Sequence, residues 1–195
     1  IDVMPRGINL KKFNQTFRET GYYAKHGLSG SFTFVYAGRI SREKNIEVLL
    51  KAFALLEGRG VEADLVLVGD GPLREGLEEK YASVRLLFTG YLHGEELARA
   101  YASADLFVFP SMTDTFGNVV LEAHASGLPA IVSNEGGPQE IVESHGSGLI
   151  VDMRSAGVLA DAMERVVRDT TLFGELKERA EAKAKASRWE DALQK

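Results

Sequence analysis

Three cations fall within six residues in the run Gly38-Arg39-Ile40-Ser41-Arg42-Glu43-Lys44-Asn45. The run follows an apolar stretch and leads into a helical pattern, so its cations gather at a helix start. Cations there oppose the helix macrodipole, whose N-terminal end is positive. A bound anion relieves that conflict and uses the free backbone N–H groups as well. Arg39 can grip a phosphate bidentately, while Lys44 acts as a point charge. The competing reading is that these side chains simply point into water. A second set of reactive types lies in residues 110–127, PSMTDTFGNVVLEAHASG. Asp114 sits in a polar loop, and the pattern places a helix start near Asn118. Glu122 is then about one turn into the helix, with a side chain that tilts back toward the N-terminus. A carboxylate only accepts hydrogen bonds, so it suits a pair of vicinal hydroxyls. Phe116, Gly117 and Asn118 present backbone N–H groups at the helix mouth, and Gly117 has no side chain to block approach. Spacing alone equally allows Asp114 to cap a turn and Glu122 to pair with a surface neighbour.

Smaller features narrow the chemistry. Gly69-Asp70-Gly71-Pro72 resembles the start of a dinucleotide fingerprint, but its third glycine position is Arg74, so the NAD pattern fails. No Gly-Lys-Ser or Gly-Lys-Thr phosphate loop occurs. At Gly90-Tyr91-Leu92 a flat base could lie against backbone and ring, or Tyr91 could be ordinary packing. Gly136-Gly137-Pro138, with Glu140 beyond, is another loop built for close approach. His26, His93, His124 and His145 lack metal-ligand spacing, and His124 reads as structural.

These residues need elements to hold them. Six short apolar runs stand at 32–37, 65–68, 84–88, 106–109, 130–133 and 149–151. Most are continuously apolar, which suits strands buried on both faces of a parallel sheet. Helical patterns at 44–56, 73–81, 95–103 and 118–126 fill the gaps between them. Regular alternation of strand and helix predicts a right-handed, doubly wound α/β domain, a Rossmann-like three-layer fold on a six-stranded parallel sheet. Helices at 155–168 and 172–185, and a third start at Arg188, are added at the C-terminal end. Residues 1–30 read as an irregular lead-in with a helix near 14–20, residues 31–187 as the domain, and 188–195 as a helix start. In such a sheet ligands bind at the carboxyl ends of the strands, where the loops singled out above all lie.

Composition is that of an ordinary globular domain, with 45% hydrophobic and 26% charged residues in 195. A formal net charge of −5 argues against a nucleic-acid partner. There is no cysteine, hence no disulfide framework, and no apolar run near the ~20 residues of a membrane span. The chain begins at Ile1 without an initiator Met and reads as a piece of a longer protein.

At 110–127 the residues resemble the group 1 family of retaining glycosyltransferases, which have a two-lobed GT-B-type fold. The family pattern is an acid, seven residues, then Glu, and Asp114, Phe116, Gly117, Glu122, Ala123, Gly127 and Pro129 match it. Matches elsewhere keep the family order: Arg6-Gly7-Ile8-Asn9 with Phe13, Gly38-Arg39 with Lys44, Gly69, Gly71 and Pro72, Gly90, and Gly136-Gly137-Pro138 with Glu140. Ser187-Arg188-Trp189-Glu190 looks like the start of the family's final helix, which crosses back to the other lobe.

The resemblance implies transfer of a sugar from a nucleoside diphosphate to an acceptor hydroxyl, with retention at the anomeric carbon. It assigns the donor diphosphate to Arg39 and Lys44, and the ribose hydroxyls to Glu122. The transferred sugar falls to the loop from Asp114 through Phe116, Gly117, Asn118 and Val119, with Gly38, Tyr91 and Leu92 completing the substrate contacts. No metal or other cofactor is expected. The acceptor, a glycan, a glycolipid or a small molecule, is expected on an N-terminal lobe outside this sequence. The implied location is cytoplasmic, with peripheral attachment at the inner membrane face as a variant. Two departures are visible: Asp114 where many members have Glu, and His124 where many have Met. A nucleotide-sugar 2-epimerase lobe and a non-catalytic nucleotide-sugar-binding module are the alternatives; a phosphorylase-type enzyme would need a cofactor lysine that nothing here nominates.

Overall fold

The computed structural model describes residues 11–29, 31–83 and 85–186. Six strands, β1 (Thr33–Ala37), β2 (Asp64–Val68), β3 (Leu86–Gly90), β4 (Leu106–Phe109), β5 (Ala130–Ser133) and β6 (Gly148–Val151), form one sheet in the order β3-β2-β1-β4-β5-β6. Every pairing is parallel. The central strands are buried along their whole length, as their unbroken apolar runs require when helices cover both faces. Helices α1 (Ile46–Gly58), α2 (Arg74–Lys80), α3 (Gly94–Ser103), α4 (Asn118–Ala125) and α5 (Pro138–Glu143) alternate with the strands, and α6 (Ala156–Arg168) and α7 (Thr170–Ala186) follow β6. In α1, Ile46, Leu49, Leu50, Phe53 and Leu56 form the buried stripe that docks it on the sheet.

The chain winds outward from β1 to β3, returns, and winds the other way from β4 to β6. Adjacent loops after β1 and β4 therefore diverge and leave a crevice between them. All six expected strands are present, with one displacement. The strand anticipated at 84–88 occupies Leu86–Gly90, because pairing with β2 sets its register from Leu86 and a Gly69–Gly90 bridge prolongs it. The first helix starts two residues late. Arg42–Lys44 forms a separate 3-10 turn, and Asn45 then adopts a left-handed conformation (φ 56°) before α1 begins. Where a helix was expected over 14–20, the described lead-in carries a 3-10 turn at Gln15–Phe17, capped by Asn14, and a second one follows at Ala24–His26. The Arg6–Asn9 and Ser187–Glu190 matches, and the helix start at Arg188, lie outside the described residues. Among those residues no helix is long and apolar enough to cross a membrane.

Candidate functional site

Glycines set the floor of the crevice by letting loops touch backbone to backbone. A Cβ on Gly69 would stand 1.9 Å from the Gly38 carbonyl oxygen, and one on Gly71 would stand 2.3 Å from that of Ile40. The Ile40 N–H donates to the Asp70 carbonyl at 2.9 Å, which ties the loop after β1 to the loop after β2. On the other side, a Cβ on Gly137 would lie 2.0 Å from the Thr115 carbonyl oxygen, and the Gly137 N–H donates to the Asp114 carbonyl at 2.8 Å. The close approach that Gly136-Gly137-Pro138 permits is thus to the protein's own 114–117 loop. Gly117 is needed twice over: its φ is +64°, and a Cβ there would press on Ile141 at 3.0 Å.

Asn45 closes the crevice at its base. Its side-chain amide donates to the Pro110 carbonyl at 3.3 Å and to the Met153 carbonyl at 3.0 Å, so one residue ties the start of α1 to the segments that follow β4 and β6. Its neighbour Lys44 reaches across the gap to an ion pair with Asp114, and its ammonium lies 5.7 Å from the Phe109 ring centroid. The two side chains are only 25% and 22% exposed, so this pair is more shielded from water than an ordinary surface ion pair. Arg39, by contrast, is exposed and has no ion-pair partner among the described residues. The Glu43 carboxyl is held below its usual range, first by the Ser41 hydroxyl at 2.6 Å and in smaller part by Arg39 and Lys44. Arg42 points outward from the 3-10 turn, where the solvent reading suffices.

Glu122 is half-buried on α4, and the Tyr101 hydroxyl of α3 donates to its Oε2 at 3.2 Å. Burial raises the Glu122 pKa, and the Tyr101 hydrogen bond partly offsets the rise. Tyr101 itself is fully buried in a row of rings. It packs on Phe107 at 5.6 Å, Phe107 stacks on Phe109 at 5.9 Å, and Phe109 stacks on Tyr36 at 6.0 Å. At the far end of the row the Tyr36 hydroxyl donates to the Arg39 carbonyl at 2.9 Å. One aromatic layer thereby supports both the cationic loop and the acid of α4. No side chain caps the start of α4, so the first N–H groups, at Asn118 and Val119, face the loop without one. Phe116 beside them is 63% exposed.

Tyr91 stands apart from this cluster, beside the loop after β2. It is 63% exposed, stacks on His93 at 6.3 Å and is not core packing. Leu92 is half-buried against the core. His124 is structural: it is buried, its Nδ1–H donates to the Leu128 carbonyl at 2.9 Å, and Nε2 accepts from the Ser147 hydroxyl at 2.9 Å. Sequence reasoning missed Tyr101, Asn45 and the ring row. Only Asn45 left a signal, since Asn tolerates the left-handed conformation that separates a turn from a helix.

The family described as glycosyl transferases group 1 matches residues 22–188. A GDP-mannose-dependent alpha-mannosyltransferase of Corynebacterium glutamicum is 36% identical over 186 residues, which cover 95% of this chain and 43% of that protein. A sulfoquinovosyl transferase of Arabidopsis thaliana is 35% identical over 163 residues, covering 83% of this chain and 31% of that one. Among solved structures, sucrose-phosphate synthase from Thermosynechococcus elongatus superposes with a TM-score of 0.84 at 33% identity, over 99% of this chain and 50% of that chain. An Anabaena protein solved with UDP and glucose superposes with a TM-score of 0.82, over 96% of this chain and 53% of that chain; at 20% identity the likeness is one of fold. This chain spans about a third to a half of the relatives it matches. By the family match over most of its length and by these relatives, the chain belongs to the group 1 glycosyl transferases.

Proposed function

We propose that this chain is the donor-binding lobe of a retaining glycosyltransferase, which moves a sugar from a nucleoside diphosphate to an acceptor hydroxyl. The observation that carries the reading is the convergence at the sheet's reversal point of an exposed Arg39 with no ion-pair partner among the described residues, the Lys44–Asp114 pair and the uncapped start of α4. A diphosphate is the ligand that answers all three, since it brings negative charge to cations and to free N–H groups together. In this reading Arg39 and Lys44 stabilise the charge that builds on the leaving diphosphate, without a metal or other cofactor. Glu122 accepts from the ribose hydroxyls. Asp114 and the backbone of Phe116, Gly117, Asn118 and Val119 meet the transferred sugar, while Gly38, Tyr91 and Leu92 border the nucleoside. The acceptor, a glycan, glycolipid or small molecule, belongs to a second lobe, and the whole enzyme works in the cytoplasm or at the inner membrane face.

A thermal-shift panel tests this directly, because a ligand that binds only the native state raises its stability by mass action. UDP, GDP and ADP are compared with their monophosphates and with NAD. At least one diphosphate should stabilise the chain well beyond its monophosphate and beyond NAD, and the preferred one identifies the base. Equal shifts from NAD and every diphosphate would remove the assignment.

A further inference from the structure

The geometry points to Tyr101 as a positioning residue for the donor site: its buried hydroxyl anchors one oxygen of Glu122 so that the other is presented to the ribose diol. This inference rests on the ribose reading of Glu122 proposed above.

Glu122 has a long, freely rotating side chain, and burial makes its ionised form costly there. Left to itself, such a carboxylate would swing toward water and present no fixed acceptor. Tyr101 prevents this by donating to Oε2 at 3.2 Å. The donor cannot drift, because its ring is 1% exposed, lies on Phe107 and meets the edge of Phe13 at 5.6 Å. Glu122 accepts no other hydrogen bond among the described residues, so Oε1 keeps its accepting capacity for a ligand. A held acceptor loses less freedom on binding than a mobile one, and the saving appears as affinity. Tyr101 does not touch the donor. It acts through Glu122, and so its effect should depend on whether the ligand has hydroxyls for Glu122 to accept.

The experiment compares the preferred nucleoside diphosphate with its 2′,3′-dideoxy form, by titration calorimetry on the 195-residue chain. Wild type, Tyr101→Phe, Glu122→Gln and the double variant are measured. Tyr101→Phe should weaken the diol ligand about tenfold, the scale of one hydrogen bond to a charged group, and leave the dideoxy ligand within about twofold. In the Glu122→Gln background the diol preference is already gone, so Tyr101→Phe should have none left to remove. If Glu122→Gln abolishes the preference while Tyr101→Phe weakens both ligands equally, or neither, Tyr101 is merely structural and the inference falls while the ribose reading stands. If Glu122→Gln itself leaves the preference intact, the ribose reading falls and this inference with it. Should Tyr101→Phe fail to fold, 3-fluorotyrosine placed at position 101 keeps the ring and strengthens the donor. An unchanged diol preference in that protein would overturn the inference.

Discussion

Lys44 and Asp114 form an ion pair across the crevice, while Arg39 has no ion-pair partner among the described residues. These two conditions predict opposite signs on diphosphate binding. Arg39→Ala removes a donor already free to engage, and should weaken a nucleoside diphosphate by roughly 1.5–3 kcal/mol, the range for hydrogen bonds to a charged group. Asp114→Asn removes a negative charge beside the proposed phosphate position and releases Lys44 from its partner. It should therefore tighten a bare nucleoside diphosphate, by about 1–2 kcal/mol for shielded charges a few ångströms apart. Calorimetric titration of both variants checks the pair. Weaker binding by Asp114→Asn would mean that the aspartate's hold on Lys44 matters more than its charge.

At the scale of the element, α4 has separate tasks at its two ends. Its start, set by Gly117, faces the crevice, whereas its last turn is locked by His124 to Leu128 and Ser147. Burial is the main reason the His124 pKa falls to about 4 from an ordinary 6.5. The native state thus refuses a proton that the unfolded chain takes up below pH 6.5. Stability from this group is whole above pH 6.5 and drains away as pH falls toward 4, by up to about 3 kcal/mol. Chemical denaturation of wild type and His124→Met across pH 4–7 should show the wild type losing stability faster toward acid. Parallel curves would mean that His124 takes up its proton alike in both states. Gly127, one of the family-pattern residues, serves the same end of the helix: its φ of +83° is a left-handed conformation that glycine adopts without strain.

For the whole molecule, the proposed reading separates binding from transfer. The described residues hold these cations and acids at the carboxyl ends of the strands, and in that reading the acceptor is held by a second lobe. Holding an acceptor hydroxyl at the anomeric carbon can be worth roughly 7–11 kcal/mol of barrier. In that reading, water in an open crevice also weakens the proposed Arg39 and Lys44 contacts to the leaving group. The 195-residue chain should accordingly bind its nucleotide and release none from a panel of nucleotide sugars, with or without acceptors. Acceptor-dependent turnover by this chain alone would place the complete active site within one lobe.

The sequence by itself determined the order and kind of elements, because strand and helix leave local periodicities. Unbroken runs such as Phe34-Val35-Tyr36-Ala37 and stripes such as that of α1 are legible within a dozen residues. It also determined which loops gather at one edge, since a parallel sheet brings every strand's carboxyl end there. The Arg39–Lys44 run and the Asp114 to Glu122 segment were legible because each is contiguous. What only the tertiary structure decided is how those groups partner. Lys44 meets Asp114 across 70 positions of chain, Tyr101 meets Glu122 across 21, and Asn45 reaches Pro110 and Met153 across 65 and 108. None of these spacings is a helical or strand period. Each contact depends on how a helix or loop settles against its neighbour, and there the backbone-to-backbone approach at Gly69, Gly71 and Gly137 sets the distances.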